Sequence, residues 1–216
     1  NDRTITTMPP HYSYALSIIN THLQSGASII LNKLSLIDKK FWNLINKYKP
    51  TNFNGVPYIY EILEKINVKR LNFKSLRFLT QAGGSLDENT KRKIFNICQK
   101  TNTKFYIMYG QAEASPRISI LPSNLLNKNF LSVGYPLEGG RISIKNKKYN
   151  QEKKIFEGEI VYKGKNVFMG YSSTFRDLNM NDQNKGILQT GDIGYIKRKL
   201  IYITGRKKRI IKIFGI

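Results

Sequence analysis

Apolar runs alternate with amphipathic stretches through the first half of the chain. Short apolar runs that are typical of buried strands cover residues 28–31, 51–57, 76–84 and 104–110. Stretches with the apolar spacing of helices flank them at 14–26, 37–49, 58–66 and 87–100. Pro57 suits the first turn of its helix, and Ser85 or Asp87 can cap the next one. The alternation predicts an α/β fold with a mostly parallel sheet lobe covered by helices.

The pattern changes after Val133, where short apolar segments are separated by glycines. Such segments are typical of antiparallel strands, and we expect them to form a small antiparallel β-barrel that follows the sheet lobe. We therefore place a domain boundary near Ser132, which gives a lobe at 1–132 and a barrel subdomain at 133–206. The charged stretch 146–158 is predicted to be a mobile hairpin loop.

The chain is strongly basic, with 36 Lys and Arg against 14 Asp and Glu and a formal net charge of +22. Such a charge can attract nucleic acid through its phosphates. The basic residues are spread along the chain, with dense runs only at 145–154 and 206–212, so a diffusely basic surface is favoured over a nucleic-acid site. The single cysteine, Cys98, fits a core position and a cytoplasmic location. No apolar run approaches the roughly 20 residues of a membrane span.

Two of the predicted strands end in loops that suit ligand binding. In a parallel sheet, ligands collect at the carboxyl ends of the strands. "TQAGGS" places Gly83 and Gly84 there, where a flat ligand can approach the backbone. "MYGQAE" supplies Tyr109 as a stacking face and Glu113 as a possible metal ligand. Each pattern alone is equally typical of an ordinary turn or a core tyrosine.

Two turns in the second half present charged side chains. "QTGDIGY" places Asp192 where its carboxylate can accept from a diol, and Arg206 follows Gly205 with a forked donor for hydroxyl or phosphate. The alternative is a pair of hairpin turns with exposed charges, which spacing alone favours. His11 and His22 are too few and too isolated for a proton relay or a zinc site.

The order of these motifs is more specific than any one of them. Eight segments stand in the order in which they occur in the adenylate-forming superfamily, which includes acyl-CoA synthetases, aryl-acid ligases and nonribosomal adenylation domains. The resemblance covers essentially all 216 residues. The segments are "DRTITTMPPHYSYALSIINTHLQSGASIIL", "GVPYIYEIL", "LRFLTQAGGSL", "YGQAE", "GYPLEGGRISI", "GEIVYKGKNVFMGY", "LQTGDIGYI" and "GRKKRIIKIFG".

The resemblance implies a site that binds ATP with Mg²⁺. Adenine would lie between the backbone of 83–85 and the ring of Tyr109, and Asp192 and Arg206 would bind the ribose. Glu113 would help to hold the magnesium. The residues with an implied role in nucleotide binding are Gly83, Gly84, Ser85, Tyr109, Gly110, Ala112, Asp192 and Arg206.

The resemblance also implies a reaction in two halves. A carboxylic acid attacks ATP to give an acyl-adenylate, with Glu113 as a catalytic residue. The thiol of CoA or of a carrier protein's phosphopantetheine then displaces AMP. Lys212 matches a catalytic lysine of the second half, and Lys208 matches a hinge, so 207–216 would begin the connection to a C-terminal lid.

Three features depart from the family pattern. Ala112 stands where the family usually has a threonine whose hydroxyl would bond the phosphate. At the implied acid pocket, bordered by Tyr12 and Tyr14, the family's His-x-x-Gly is replaced by Tyr12 and Ala15. The chain also lacks an upstream phosphate loop and a downstream lid lysine. We therefore expect a fragment of an N-terminal domain that is inactive alone.

Three functions remain open on sequence grounds. The first is part of an ATP-dependent ligase that joins a carboxylic acid to a thiol. The second is a catalytically lapsed homologue that keeps the fold as a binding or scaffold module, which Ala112 favours. The third, a nucleic-acid-binding domain, rests on charge alone.

Overall fold

The computed structural model describes residues 2–66, 71 and 73–207, which form an α/β fold with one sheet and flanking helices. The strands are β1 (Arg3–Ile5), β2 (Ser28–Ile30), β3 (Asn52–Gly55), β4 (Phe78–Gln81), β5 (Lys104–Tyr109), β6 (Ser119–Leu121), β7 (Ser132–Pro136), β8 (Arg141–Asn150), β9 (Ile155–Lys163), β10 (Ile187–Lys197) and β11 (Leu200–Arg206). The helices are α1 (Ser13–Gln24), α2 (Lys39–Tyr48), α3 (Pro57–Lys65), α4 (Glu88–Lys100) and α5 (Ser123–Leu126). Within these ranges no helix is long and apolar enough to cross a membrane.

The helices begin where the sequence supplies capping groups. The Asp38 carboxylate accepts from a backbone N–H of the first turn of α2 at 2.8 Å. At α4 the Asp87 carboxylate accepts from the Thr90 N–H at 3.0 Å. α3 opens with Pro57, as predicted, because its missing N–H needs no partner at that position. Of the two predicted caps for α4, Asp87 is therefore confirmed, and Ser85 lies outside the helix.

The sheet is mixed, with the strand order β2-β1-β3-β4-β5-β6-β7-β11-β10-β9-β8. The first five strands of this order, β2, β1, β3, β4 and β5, pair in parallel, because a helix returns the chain between strands that follow each other in sequence. Every pairing from β5–β6 to β9–β8 is antiparallel.

The separate β-barrel expected for the second half is not shown among the described residues. β7 pairs with β6 on one side and with β11 on the other, so the second half extends the first-half sheet. β8 ends the strand order as an edge strand. The boundary near Ser132 and the hinge at 207–216 stay predictions, and 208–216 lie outside the described residues.

The predicted mobile loop at 146–158 was wrong. β8 and β9 run through most of it and leave only 151–154 as a turn. Tyr149 and Phe156 are cross-strand partners whose ring centroids lie 5.1 Å apart. Such aromatic cross-strand pairs stabilise a hairpin.

The main core packs helices against the parallel strands. The Tyr60 ring of α3 lies 6.4 Å from the Phe53 ring of β3 and 5.6 Å from the Phe105 ring of β5, and all three side chains are fully buried. Burial of each such side chain contributes roughly 1.5–3 kcal/mol. Cys98 belongs to this core, as predicted, and burial raises the pKa of its thiol to about 12.

Gly134 lies at the point where β7 joins the two halves of the sheet. Its φ is +89°, and a Cβ there would lie 1.9 Å from the Ile120 carbonyl oxygen of β6. Gly139 has a similar φ of +76°, but a Cβ added to it would meet nothing within 4 Å. A comparison of substitutions at the two glycines therefore distinguishes the effect of backbone strain, which both share, from that of steric overlap, which only Gly134 has.

We expect Gly134→Ala to lower the free energy of unfolding by about 1–3 kcal/mol more than Gly139→Ala, since only the first adds an overlap with a paired strand. Both substitutions place a non-glycine residue at positive φ, at a shared cost of roughly 1–2 kcal/mol. Urea denaturation of the two variants measures the difference. Equal losses would show that β6 and β7 are not packed as described.

Candidate functional site

A cavity of about 140 Å³ opens at the carboxyl ends of β4 and β5. Parallel strands end there, which is where ligands bind in sheets of this kind. Its lining residues come from α1, from the loop after β4 and from the loop after β5: Tyr12, Ser13, Tyr14, Ala82, Gly83, Met108, Tyr109, Gly110, Gln111, Ala112, Pro116 and Arg117. Six of the residues singled out from the sequence are thereby brought together. They are Tyr12, Tyr14, Gly83, Tyr109, Gly110 and Ala112.

The remaining sequence-predicted residues lie beside the cavity or beyond the described part. Gly84 and Ser85 continue from Gly83 as exposed backbone, and Glu113 follows Ala112. Asp192 and Arg206 reach the site through Tyr109, as described below. The predicted catalytic Lys212 and hinge Lys208 lie outside the described residues.

Two glycines of the site are required by close packing. Gly83 has a φ of +83°, and a Cβ there would lie 2.6 Å from the Tyr12 hydroxyl oxygen. A Cβ on Gly110 would lie 1.5 Å from the carbonyl oxygen of Pro116. The loops after β4 and β5 therefore keep their shape only with glycine at these positions.

Asp192 of β10 is the centre of a hydrogen-bonded cluster. Its side chain is nearly buried, and its Oδ2 accepts from the Tyr109 hydroxyl at 2.6 Å and from the Gln111 Nε2 at 2.8 Å. The Arg206 Nε lies 3.3 Å from the other oxygen. The Gln111 amide also donates to the Thr190 carbonyl oxygen at 2.8 Å. The cluster thus ties the loop after β5 to β10 and β11.

The electrostatics of the cluster hold Tyr109 in its donor role. Burial, followed by the charge of Asp192, raises the pKa of the Tyr109 hydroxyl well above its usual value. The phenol therefore stays protonated and keeps its hydrogen bond. A carboxylate has about four acceptor positions, and Tyr109, Gln111 and Arg206 use three of them. One acceptor position of the Asp192 carboxylate is then left for the hydroxyl of a ligand.

Glu113 lies in the 3₁₀ turn Ala112–Ala114 next to the cavity. Its Oε1 accepts from the Tyr171 hydroxyl at 2.6 Å, and its backbone carbonyl accepts from the Phe168 N–H at 2.9 Å. In the part of the chain described here, no group of three or more His, Cys, Asp or Glu is placed to hold a metal. A single carboxylate still fits Mg²⁺, because this ion is commonly held by one or two carboxylates together with substrate phosphates.

Tyr14 contributes its ring to the cavity and its hydroxyl to the sheet. The Tyr14 and Thr80 hydroxyl oxygens are 2.5 Å apart, and Thr80 donates onward to the Asn54 Oδ1 at 2.5 Å. Asn54 in turn donates to the Thr4 hydroxyl at 3.0 Å. Burial raises the pKa of Tyr14 well above its usual value, so the hydroxyl remains a donor. This buried chain fixes one wall of the cavity.

Sequence reasoning missed several residues that the fold brings to the site. Gln111 had a signal, since it stands inside "YGQAE", and Tyr171 stands inside "GEIVYKGKNVFMGY". Arg117 had no such signal in the sequence, because a single arginine before a strand is typical of an exposed surface position. Its place on the cavity wall depends on the pairing of β6 with β5, which the local sequence does not reveal.

Comparisons with known proteins identify the family. The family described as "AMP-binding enzyme" matches residues 1–172. A probable 4-coumarate–CoA ligase 2 of Dictyostelium discoideum is 30% identical over 222 residues, which cover 100% of this chain and 39% of the relative. A medium-chain fatty-acid–CoA ligase of Escherichia coli is 30% identical over 167 residues, covering 73% of this chain and 27% of the relative. The chain thus spans well under half of these ligases.

Solved structures show the same fold. The o-succinylbenzoate CoA synthetase of Bacillus subtilis, bound to a product analogue, has a TM-score of 0.77 and 22% identity, over 99% of this chain and 43% of that one. The same enzyme in complex with ATP and magnesium ion has a TM-score of 0.74 and 22% identity, over 95% of this chain and 42% of that one. The family match covers most of this chain, and on that ground the chain belongs to the AMP-binding enzyme family.

Proposed function

We propose that the protein containing this chain activates a carboxylic acid with ATP and transfers the acyl group to a thiol. The observation that carries the proposal is the joining of Tyr109, Asp192 and Arg206 in one cluster beside a cavity bordered by Tyr12 and Tyr14. Residues implied for the nucleotide and residues implied for the acid thus lie on neighbouring walls. The relatives are named as CoA ligases, which supports CoA as the thiol. A carrier-protein pantetheine is the alternative acceptor.

The nucleotide would bind with adenine against the exposed backbone of 83–85 and the ring of Tyr109. The hydrogen bond from the Tyr109 hydroxyl to Asp192 fixes the plane of that ring, so the stacking face is formed before the ligand arrives. The ribose hydroxyls would donate to the remaining acceptor position of Asp192. Arg206, whose side chain is partly exposed, would donate to the ribose as well.

Glu113 would hold Mg²⁺ together with the phosphates of ATP. The bound ion supplies neutralisation of the phosphate charge. The Tyr171 hydroxyl occupies one oxygen of Glu113, so Tyr171 either shares the carboxylate with the ion or moves away. Tyr171 is 72% exposed, and its displacement would break one edge-to-face contact with the Phe168 ring.

In the proposed reaction the protein acts mainly by positioning the reactants, and it forms no covalent bond with them. A carboxylate oxygen attacks the α-phosphorus, the new acyl–oxygen–phosphorus bond forms, and the bond to pyrophosphate breaks. The thiol sulfur then attacks the acyl carbon, AMP leaves, and the thiol proton passes to solvent. Holding the reactants in line supplies much of the rate in such transfers. Lys208 is proposed to be the hinge of the C-terminal lid, and Lys212 is proposed to serve the second half. The chain alone is proposed to be inactive, since it spans well under half of its ligase relatives.

The alternative of a lapsed homologue is not favoured, since the matches are with ligases. Ala112 still marks a missing phosphate donor at the start of the 3₁₀ turn. Its position on the cavity wall leaves room for a hydroxyl.

Asp192→Asn in the full-length protein should raise the dissociation constant for ATP by about 10- to 100-fold, since a hydrogen bond to a charged group contributes roughly 1.5–3 kcal/mol. Asparagine is the suitable replacement because one amide oxygen can still accept from Tyr109 and Gln111. Calorimetry measures the affinity. Glu138→Gln, an exposed acid-to-amide change, is the matched control and should have no effect. Unaltered ATP affinity in a folded Asp192→Asn variant would show that Asp192 has only a structural role.

Ala112→Thr should raise the rate of adenylation, because the added hydroxyl can donate to a charged phosphate at a gain of roughly 1.5–3 kcal/mol. Ala112→Val has nearly the same shape without the hydroxyl and serves as the control. The rates are measured by pyrophosphate exchange. The interpretation would be wrong if threonine and valine changed the rate equally, or if neither raised it.

A further inference from the structure

Arg117 is a partly buried cation on the wall of the cavity described above. Its Nε is buried and has no hydrogen-bond partner in the described part of the chain. One terminal nitrogen lies 3.3 Å from the Ser17 hydroxyl oxygen of α1, a long contact. Among residues 2–66, 71 and 73–207, no carboxylate lies within ion-pair distance of its guanidinium. Its charge and one donor are therefore left unsatisfied by these residues.

The charge of a partly buried arginine is less well hydrated than that of an exposed one, so an anion that meets this charge is stabilising. Burial lowers the pKa of the Arg117 guanidinium, but an arginine remains protonated in proteins. A buried charge is normally paired or hydrogen-bonded, because its desolvation is otherwise uncompensated. A planar guanidinium is best matched by a carboxylate, which accepts two parallel hydrogen bonds from it. The partner that suits Arg117 is thus an anion that enters the cavity.

The position of Arg117 assigns that anion to the acid rather than to the nucleotide. Arg117 extends toward Ser17 and Tyr14 of α1, where Tyr14 already directs its own hydroxyl to Thr80. Gln111, another lining residue, is engaged elsewhere, because its amide donates to Asp192 and Thr190. The unmet charge therefore lies on the side of the implied acid pocket.

We infer that the acid activated here carries a second carboxylate, which pairs with Arg117 inside the cavity. This inference rests on the proposed function and names the substrate class of the same site. Arg117 is then a specificity-determining residue that rejects plain monocarboxylic acids, because they leave its charge unpaired. The cavity volume of about 140 Å³ is small beside the roughly 300–1,000 Å³ of pockets for drug-sized ligands, which favours a compact diacid.

The test compares matched acids in pyrophosphate exchange by the full-length protein. The pairs are adipate with hexanoate, and terephthalate with 4-methylbenzoate. Wild type should prefer the diacid by about 10- to 100-fold in kcat/KM, as expected for a charge-assisted pair. Arg117→Met should remove that preference, because the loss in kcat/KM falls on the diacids. Arg117→Lys should keep part of it. Arg141→Met removes an exposed positive charge elsewhere and should behave as wild type.

Two results would overturn the inference. One is a wild type that favours the monoacids. The other is an Arg117→Met variant that loses activity equally with every acid and binds ATP more weakly, since Arg117 would then serve the nucleotide. Should Arg117→Met fail to fold, the wild-type preference and its retention in Arg117→Lys decide the matter.

A failure of the proposed function has a different signature. If wild type exchanges pyrophosphate with no acid, calorimetry with adipate and hexanoate in the absence of nucleotide tests the inference separately. Adipate binding that is at least about tenfold weaker in Arg117→Met would support the diacid site. Equal binding of adipate by wild type and variant, or no binding by wild type, would refute it.

Discussion

The carboxylate of Asp192 is the contact on which the arrangement of the site depends. It accepts from Tyr109 at the end of β5 and from Gln111 in the loop that follows, and it faces Arg206 at the end of β11. These residues are up to 97 positions apart in the chain, between Tyr109 and Arg206. One buried charge thus holds the parallel half of the sheet to the antiparallel half. It also sets the plane of the tyrosine ring that would meet the nucleotide. The arrangement costs little, because the desolvated carboxylate is compensated by three donors.

Two charged side chains at the site, the buried Asp192 and the partly buried Arg117, have different roles in structure and in recognition. Asp192 has its partners within the protein, whereas Arg117 lacks a carboxylate partner in the described residues. A satisfied charge stabilises one conformation, and an unsatisfied one stabilises whichever ligand supplies the counter-charge. Of the lining residues of the cavity, Tyr109 is therefore satisfied without ligand through Asp192, and Arg117 is not. That asymmetry agrees with a nucleotide side formed in advance and an acid side selected by charge.

Local features of the chain were sufficient to predict the helices and the loops at the strand ends. Asp87 and Pro57 act where their chemistry predicts, and Gly83 and Tyr109 follow β4 and β5 as the alternation of strand and helix requires. A separate barrel is not shown in the described residues, and glycine-separated antiparallel strands have the same local pattern in a barrel and in an open sheet. Only the long-range pairing of β7 with β11 distinguishes them. Arg117 was missed for the same reason, since its role depends on a neighbour far away in sequence.

The central claim is that an acid becomes joined to AMP through its own oxygen. The most direct test supplies the full-length protein with ATP, Mg²⁺, CoA and a mixture of carboxylic acids whose carboxyl groups carry heavy oxygen. Mass spectrometry then follows the label. An acyl-adenylate route predicts one labelled oxygen in the phosphate of AMP, because the oxygen that attacks phosphorus leaves with AMP. AMP without label, or label found in inorganic phosphate with ADP as the nucleotide product, would contradict the account.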